Sequence, residues 1–246
     1  FFKILFWLPD LQFLHLPQFF TKSQRLSIIK LIKYMYRQSD ALILSSHSAS
    51  EDLQAIVGRK LKDVKVLQFI CQPSFDFKED LVSLNFLQKK YDFKKPYFFL
   101  PNQFWKHKNH ITVFEAMKIN KSNDFIVICS GEPKDHRDNS RDHFNKLKNF
   151  INTNKLNDKI KILSLIPYSE VISFYKYSVA VINPSFFEGW SSVVEEAKSM
   201  RKEIILSNIK VHLEQNPELG HFFDPNNPSE LSKVMLNVFS NKKTKK

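Results

Sequence analysis

Short apolar runs alternate with longer amphipathic stretches along almost the whole chain. Most of these runs are largely or wholly apolar, which is typical of strands buried on both faces of a parallel sheet. The predicted strands are Lys3–Leu8, Ala41–Ser45, Val64–Ile70, Tyr97–Leu100, Phe125–Cys129, Ile160–Leu165, Val179–Ile182 and Glu203–Leu206.

Helical patterns fill the intervals between these runs. Thr21 with Gln24, and Ser48 with Glu51, have the spacing of capping boxes at helix starts. The predicted helices are Thr21–Ser39, Ser48–Val57, Glu79–Tyr91, Ile111–Ile119, Arg141–Leu156 and Ser169–Tyr177, with further helices starting near Ser191 and Ser229. Strands that alternate with helices of this length predict an α/β doubly wound fold.

The rhythm of strands and helices breaks at Lys94-Lys95-Pro96 and then restarts. We therefore expect one Rossmann-like domain over residues 1–92 and a second over residues 93–240. The last residues, 241–246, read N-K-K-T-K-K, and their composition predicts a disordered basic tail.

The formal net charge of +12 favours an anionic partner: a nucleic acid, an acidic membrane surface or a phosphorylated ligand. Lysines that merely solvate the surface explain the charge equally well. Because no nucleic-acid recognition module is recognisable, we expect no nucleic acid as partner. Two cysteines without pairing or metal spacing, Cys71 and Cys129, favour the reducing cytoplasm. No apolar run reaches the roughly 20 residues that a membrane span needs.

The stretch from Phe186 to Met200, F-F-E-G-W-S-S-V-V-E-E-A-K-S-M, follows a predicted strand and opens a helix. In open α/β sheets, ligands bind where strands end and helices begin. Gly189 allows close approach of the backbone, and the amides of residues 190–193 can bind an anion at the helix N-terminus. Glu188 and Glu196 would then flank the anion. Both glutamates can equally be surface charges near a positive helix end.

The segment P-S-F-F-E-G-W-S-S-V-V-E-E-A resembles the E-x7-E signature of the retaining glycosyltransferases of family 4, which have the GT-B fold. The resemblance implies two Rossmann-like doubly wound domains, the N-terminal one incomplete in this chain. It implies no cofactor and no divalent metal. It places Glu188 on the hydroxyls of the donor sugar and Glu196 on the nucleotide ribose. The residues implied as donors to the diphosphate are Gly189, Trp190, Ser191, Ser192 and Val193.

Three other positions match this family in part. In F-L-P-N-Q-F-W-K-H-K, Lys108 matches the lysine that binds the diphosphate, but Gln103 replaces the expected arginine. L-S-L-I-P resembles the segment whose backbone near Ile166 contacts the base, and W-L-P-D-L-Q implies that Asp10 lies near the acceptor. From the residues alone, Ile166 can simply end a strand and Asp10 can simply form a Pro-Asp turn.

The implied reaction is transfer of a sugar, with retention, from a nucleotide-diphosphate sugar to a glycan or lipid-linked acceptor in surface polysaccharide synthesis. Two alternatives stay open: a nucleotide-sugar epimerase of the same fold, and a donor-binding fragment without turnover. The helix Thr21–Ser39 carries five basic residues and no acid. Peripheral contact with an anionic membrane at the inner face is therefore a further expectation, beside the plainer one of a packed helix with a basic side.

Overall fold

The computed structural model describes residues 3–58, 63–71, 81–134 and 142–244. The chain divides into two compact units. The first comprises Phe1–Ile70, Phe187–Ser192 and Ile209–Gln215; the second comprises Cys71–Phe186, Val193–Asn208 and Asn216–Lys246. The domain boundary predicted near residues 92–96 stays a prediction.

The strands and helices of the described residues are numbered in chain order. The strands are β1 (Leu5–Leu8), β2 (Ala41–Leu44), β3 (Asp63–Val66), β4 (Tyr97–Leu100), β5 (Ile126–Cys129), β6 (Ile160–Ile162), β7 (Val181–Asn183), β8 (Ile204–Ser207) and β9 (Gly220–Phe223). The helices are α1 (Gln12–His15), α2 (Lys22–Gln38), α3 (His47–Val57), α4 (Leu84–Tyr91), α5 (His110–Ile119), α6 (Asp142–Thr153), α7 (Tyr168–Tyr177), α8 (Ser192–Ser199), α9 (Lys210–Gln215) and α10 (Pro228–Thr244).

The first unit contains a parallel sheet in the order β1-β2-β3. Its core is apolar and includes Leu8, Ile32, Tyr36, Leu42 and Leu53. The predicted capping box of α2 is present, because the Thr21 side chain accepts from the Gln24 amide while Gln24 returns a bond to Thr21.

The capping box predicted at Ser48 and Glu51 is wrong. Helix α3 begins two residues earlier than that box requires, and Ser46 Oγ accepts from the Ala49 amide at 3.0 Å. Glu51 instead pairs with Lys210 at 3.0 Å. Ser46 is extended and lies just before the first turn, where a serine side chain can accept from a backbone amide of that turn.

The second unit contains a parallel sheet in the order β6-β5-β4-β7-β8-β9. Counted from β4, the first strand of this sheet, the order reads 3-2-1-4-5-6, the Rossmann arrangement. Strands β5 and β6 therefore lie on one side of β4, and strands β7, β8 and β9 lie on its other side. The predicted α/β fold with parallel sheets is confirmed.

Alternate residues of these strands point into two separate apolar layers. Phe98 and Val127 face a layer closed by helices α5, α6 and α10. Phe99 and Ile128 face the opposite layer, which is closed by α4, α7 and α8. Burial on both faces explains why the strands read as continuous apolar runs rather than as alternating patterns.

Two features of the second unit differ from the sequence predictions. Strand β9 was not predicted, because its sequence G-H-F-F is only partly buried at the edge of the sheet. Residues 241–244 are helical rather than part of a disordered tail, and Lys242 Nζ donates to the carbonyls of Ser178 and Val179, both at 2.8 Å. Residues 245–246, and the predicted helix starts at Glu79 and Arg141, lie outside the described residues.

We predict that Phe174→Ala destabilises the second unit by about 3–5 kcal/mol. The Phe174 ring is fully buried and lies 5.2–6.1 Å from the ring centroids of Tyr91, Phe93, Tyr97 and Phe99. Phe86→Ala, at an exposed position of α4, is the matched control. Denaturant unfolding followed by circular dichroism measures both variants, and equal losses in the two would contradict this view of the core.

Candidate functional site

The order of the strands reverses between β4 and β7, and the two strand ends are joined there by asparagines. Asn102 Nδ2 donates to Asn183 Oδ1 at 3.2 Å, and Ser185 Oγ donates to the same oxygen at 2.8 Å. All three residues are buried. In sheets of this kind the ligand crevice lies outside the carboxyl ends of the strands at this reversal. Asn102 and Asn183 therefore lie at the sheet edge where folds of this kind bind their ligands.

Close packing of three loops shapes this edge of the sheet. A Cβ on Gly131 would lie 2.3 Å from the Asn102 carbonyl oxygen, so only glycine fits there. The Gly131 amide donates to the Ser164 carbonyl at 2.9 Å. Gln103 Oε1 accepts from the Glu132 amide at 2.5 Å. The loops that follow β4, β5 and β6 therefore hold one another, and Gln103 contributes to that contact.

Lys108 ends a short 3-10 turn, Lys106–Lys108, after β4. The next residue, Asn109, takes a left-handed conformation with φ of 53°. Its side-chain Nδ2 donates to the carbonyls of Pro184 at 3.0 Å and Pro225 at 2.9 Å. Asn109 is fully buried, so it ties the turn of Lys108 to the ends of β7 and β9. Lys108 itself is half-buried, whereas Lys106 is exposed.

His110 follows this turn and carries no charge at neutral pH. Complete burial is the main cause that lowers its pKa to about 3. Its ring stacks on Phe104 with centroids 4.4 Å apart. His110 therefore adds no positive charge to this turn. Among the described residues, no group of three or more His, Cys, Asp or Glu side chains is placed to hold a metal ion.

Glu196 lies in the second turn of α8 and is held by a tyrosine of α7. The hydroxyl of Tyr175 donates to Glu196 Oε2 at 2.6 Å. Partial burial raises the pKa of the Glu196 carboxyl above its ordinary value, and the tyrosine hydroxyl opposes that rise. Tyr175 belongs to no sequence motif. It meets Glu196 because helices α7 and α8 face each other.

The adjacent Glu195 has a partner of its own. Its carboxylate lies 3.1 Å from Lys198 Nζ and is buried, with 3 % of its surface exposed. The two neighbouring glutamates of α8 therefore have separate partners, a lysine for Glu195 and a tyrosine for Glu196.

The segment Phe187–Ser192 is part of the first unit. There Gly189 packs against the Pro9-Asp10 turn, and a Cβ on Gly189 would lie 2.7 Å from Asp10 Cβ and 2.8 Å from the Pro9 carbonyl oxygen. Ser45 Oγ donates to the Gly189 carbonyl at 3.1 Å. This packing is itself a physical reason for the glycine, beside the expected approach of a ligand.

The Ser191 backbone has a partner that the sequence did not suggest. Gln215 Oε1 accepts a hydrogen bond from the Ser191 amide at 3.2 Å, and Gln215 Nε2 donates to the Ser191 carbonyl at 3.0 Å. The Trp190 indole donates to the Phe69 carbonyl at 2.9 Å. Residues 24 positions apart carry no local pattern, so sequence reasoning missed Gln215.

The remaining predicted residues have simple positions. Ile166 follows β6, is half-buried and packs on the apolar layer of α7 and α8. Helix α8 begins at Ser192, so Val193 lies in its first turn. Predicted site residues in the first unit are Asp10, Glu188, Gly189, Trp190, Ser191 and Ser192; those in the second are Gln103, Lys108, Ile166, Val193 and Glu196.

Residues 85–246 match the family described as glycosyl transferases group 1, which is more than half of the chain. The chain belongs to this family. The match covers β4 to β9 and includes Asn102 and Asn183.

One curated relative supports the glycosyltransferase assignment. The O-antigen chain mannosyltransferase RfbU of Salmonella typhimurium is 24 % identical over 155 residues, which are 63 % of this chain and 41 % of that protein. The chain thus spans less than half the length of this relative.

Solved structures show the same fold. Sucrose-phosphate synthase from Thermosynechococcus elongatus matches with a TM-score of 0.78 and 15 % identity, over 97 % of this chain and 59 % of that one. The Anabaena protein HepE, solved in complex with UDP and glucose, matches with a TM-score of 0.78 and 14 % identity, over 98 % and 63 % of the two chains. A glycosyltransferase from Rickettsia africae matches with a TM-score of 0.73 and 23 % identity, over 87 % and 57 %. The predicted GT-B fold class is confirmed.

Within the described ranges, none of the helices of this glycosyltransferase-family chain combines the length and apolar character required to cross a membrane.

We predict that Asn109→Ala destabilises the second unit by about 2–4 kcal/mol, because the buried carbonyls of Pro184 and Pro225 each lose a hydrogen bond and alanine disfavours the left-handed backbone. Asn226→Ala, at an exposed asparagine, is the matched control. Thermal unfolding of both variants measures the difference. An Asn109→Ala variant as stable as the control would show that this residue does not hold the Lys108 turn.

Proposed function

We propose that this chain is a retaining glycosyltransferase of family 4, with the E-x7-E signature formed by Glu188 and Glu196. In this proposal it moves a sugar from a nucleotide-diphosphate sugar to a glycan or lipid-linked acceptor in surface polysaccharide synthesis. The observation that carries the proposal is the reversal of strand order between β4 and β7, where Asn102 and Asn183 are hydrogen-bonded and Lys108 follows β4.

The diphosphate is the leaving group, and its growing charge needs cations and amide donors. Lys108 supplies a cation on a turn that Asn109 holds rigid. The backbone amides of residues 190–193, at and before the start of α8, supply dipoles, with Ser191 released from Gln215 when the ligand enters. Once the ligand is bound, donors that are held in place need no further reorganisation in the transition state.

The two glutamates then take different parts of the donor. Glu188 orients the hydroxyls of the donor sugar, and Glu196 accepts from the ribose hydroxyls. A raised pKa makes Glu196 a carboxylate with a strong tendency to accept hydrogen bonds. The backbone of Ile166 contacts the nucleotide base, and Asp10 faces the sugar acceptor.

Two relatives are consistent with this donor class. RfbU is named a mannosyltransferase of O-antigen chains, and HepE was solved with UDP and glucose. We extend to this chain the general class, a nucleotide-diphosphate sugar used in polysaccharide synthesis.

A second candidate function, donor binding without turnover, is favoured by the residue at position 103. Gln103 stands where the family places an arginine, and its Oε1 is engaged with the Glu132 amide. Without that second cation the leaving group is stabilised less, and the chain would bind a donor without turning it over. The nucleotide-sugar epimerase is a third candidate, distinguished by products that need no acceptor.

We predict that one of UDP, GDP and ADP raises the melting temperature of the chain, and that Lys108→Ala weakens its affinity about tenfold or more through the lost charge-assisted contact. Lys118→Ala, at an exposed lysine of α5, is the matched control and keeps wild-type affinity. Isothermal titration measures the affinities. Lack of binding by all three nucleotides, or equal losses in both variants, would contradict the proposed donor site.

The first unit also offers a surface for the cytoplasmic face of a membrane. Helix α2 exposes Leu26, Leu31 and Tyr34 beside Lys30 and Lys33. Apolar and basic side chains on one exposed helix surface are typical of peripheral binding to anionic lipids.

We predict that the chain co-sediments with vesicles containing phosphatidylglycerol and not with pure phosphatidylcholine vesicles. The double variant Lys30→Glu/Lys33→Glu should abolish this binding, because it reverses the charge of the surface. Equal binding of the variant, or no binding of the wild type, would remove the membrane from the proposal while leaving nucleotide binding untouched.

A further inference from the structure

We propose that Tyr175 is a positioning residue that orients the Glu196 carboxylate toward the nucleotide ribose. It thereby sets how strongly this site prefers ribonucleotides to deoxyribonucleotides. The inference rests on the proposed function, since it assumes that Glu196 meets the ribose.

The side chain of Tyr175 is held by close packing in the core. Tyr175 is completely buried, and its ring meets Phe99 edge-to-face at 5.5 Å between centroids. It belongs to the same apolar layer as Val193, Val194 and Ala197 of α8. The packing of the ring in the core therefore fixes the position of the hydroxyl.

The direction of the hydrogen bond is also fixed. Burial raises the pKa of Tyr175 well above its ordinary value of 10, so the hydroxyl stays protonated and acts as the donor. Glu196 Oε2 accepts this hydrogen bond, with 2.6 Å between the two oxygens. One carboxylate oxygen is thus anchored, and rotation about the last torsion of Glu196 is restricted. The second oxygen, Oε1, is then presented in a defined direction for the ribose hydroxyls.

An anchored carboxylate discriminates better than a mobile one. A ribose hydroxyl that meets a fixed acceptor gains a charge-assisted hydrogen bond without the entropy cost of ordering the glutamate. A deoxyribose gives no such bond. If the anchor is lost, Glu196 can swing into solvent, and the energetic difference between the two sugars decreases.

The groups around Glu196 define its titration. Tyr175 and Tyr168 come from α7, Cys71 lies within electrostatic range of the carboxylate, and Glu195 precedes it on α8. Tyr175 donates a hydrogen bond to the carboxylate and so lowers its pKa against burial. Removal of this donor should move the titration of Glu196 to higher pH.

The test uses Tyr175→Phe, which removes only the hydroxyl. Its matched control is Tyr97→Phe, because Tyr97 is a buried tyrosine of the same layer whose hydroxyl donates to the Phe174 carbonyl at 3.1 Å instead of to Glu196. Calorimetry measures the affinity for UDP and for 2′-deoxy-UDP and 3′-deoxy-UDP, or for the GDP or ADP set if that base is selected.

We expect wild type and Tyr97→Phe to prefer the ribonucleotide over a deoxy analogue, and Tyr175→Phe to lose about tenfold of that preference. The affinity of Tyr175→Phe for the deoxy analogue should stay near the wild-type value. The loss of affinity on acidification should also begin at higher pH in Tyr175→Phe than in wild type. Because the preference is a ratio measured on folded protein, a change in stability alone does not alter it.

Full preference in Tyr175→Phe, or an unchanged pH profile, overturns the inference. A wild type that binds both sugars equally also overturns it, because the ribose then does not meet Glu196, while the diphosphate site stands. A wild type that binds no nucleotide contradicts the proposed function itself.

Discussion

The reversal of strand order between β4 and β7 is the constraint on which the second unit depends. Parallel strands bring all their carboxyl ends to one edge, and helices that leave in opposite directions from neighbouring strands open a crevice there. The chain closes this point with amide side chains rather than with apolar packing, since Asn102 and Asn183 meet at 3.2 Å in a buried position. The candidate residues Lys108 and Glu196 follow from these two strands, one after each.

The scarcity of glycine makes the construction of the loops unusual. The chain has four glycines, and three of them, Gly131, Gly189 and Gly220, lie where backbone atoms of another residue come too close for a Cβ. Positive φ angles are taken by residues such as Asn109 and Ser164 as well as by glycines. Asn109 combines this backbone conformation with side-chain bonds to two carbonyls, which glycine could not make. A polar side chain therefore fixes the turn that carries Lys108.

The sequence predicts the fold well because periodicity depends on burial. Strands such as Phe125–Cys129 are covered on both faces, so their composition reports their environment directly. Strand β9 is partly exposed and gives no such signal, and the final helix extends past Ser240 because Lys242 reaches carbonyls more than 60 residues away. The E-x7-E resemblance selects Glu188 and Glu196 from local sequence. Tyr175 and Gln215, which contact Glu196 and Ser191, escape any local pattern because tertiary packing alone brings them there.

The central claim is that a nucleotide diphosphate binds outside the carboxyl ends of β4 and β7. A crystal structure of this chain with the nucleotide that it binds tests this claim most directly. We expect the phosphates beside the turn of Lys108 and the start of α8, with the ribose hydroxyls within hydrogen-bond distance of Glu196. A nucleotide at any other edge of the sheet, or one whose phosphates lie far from Lys108, would contradict the account.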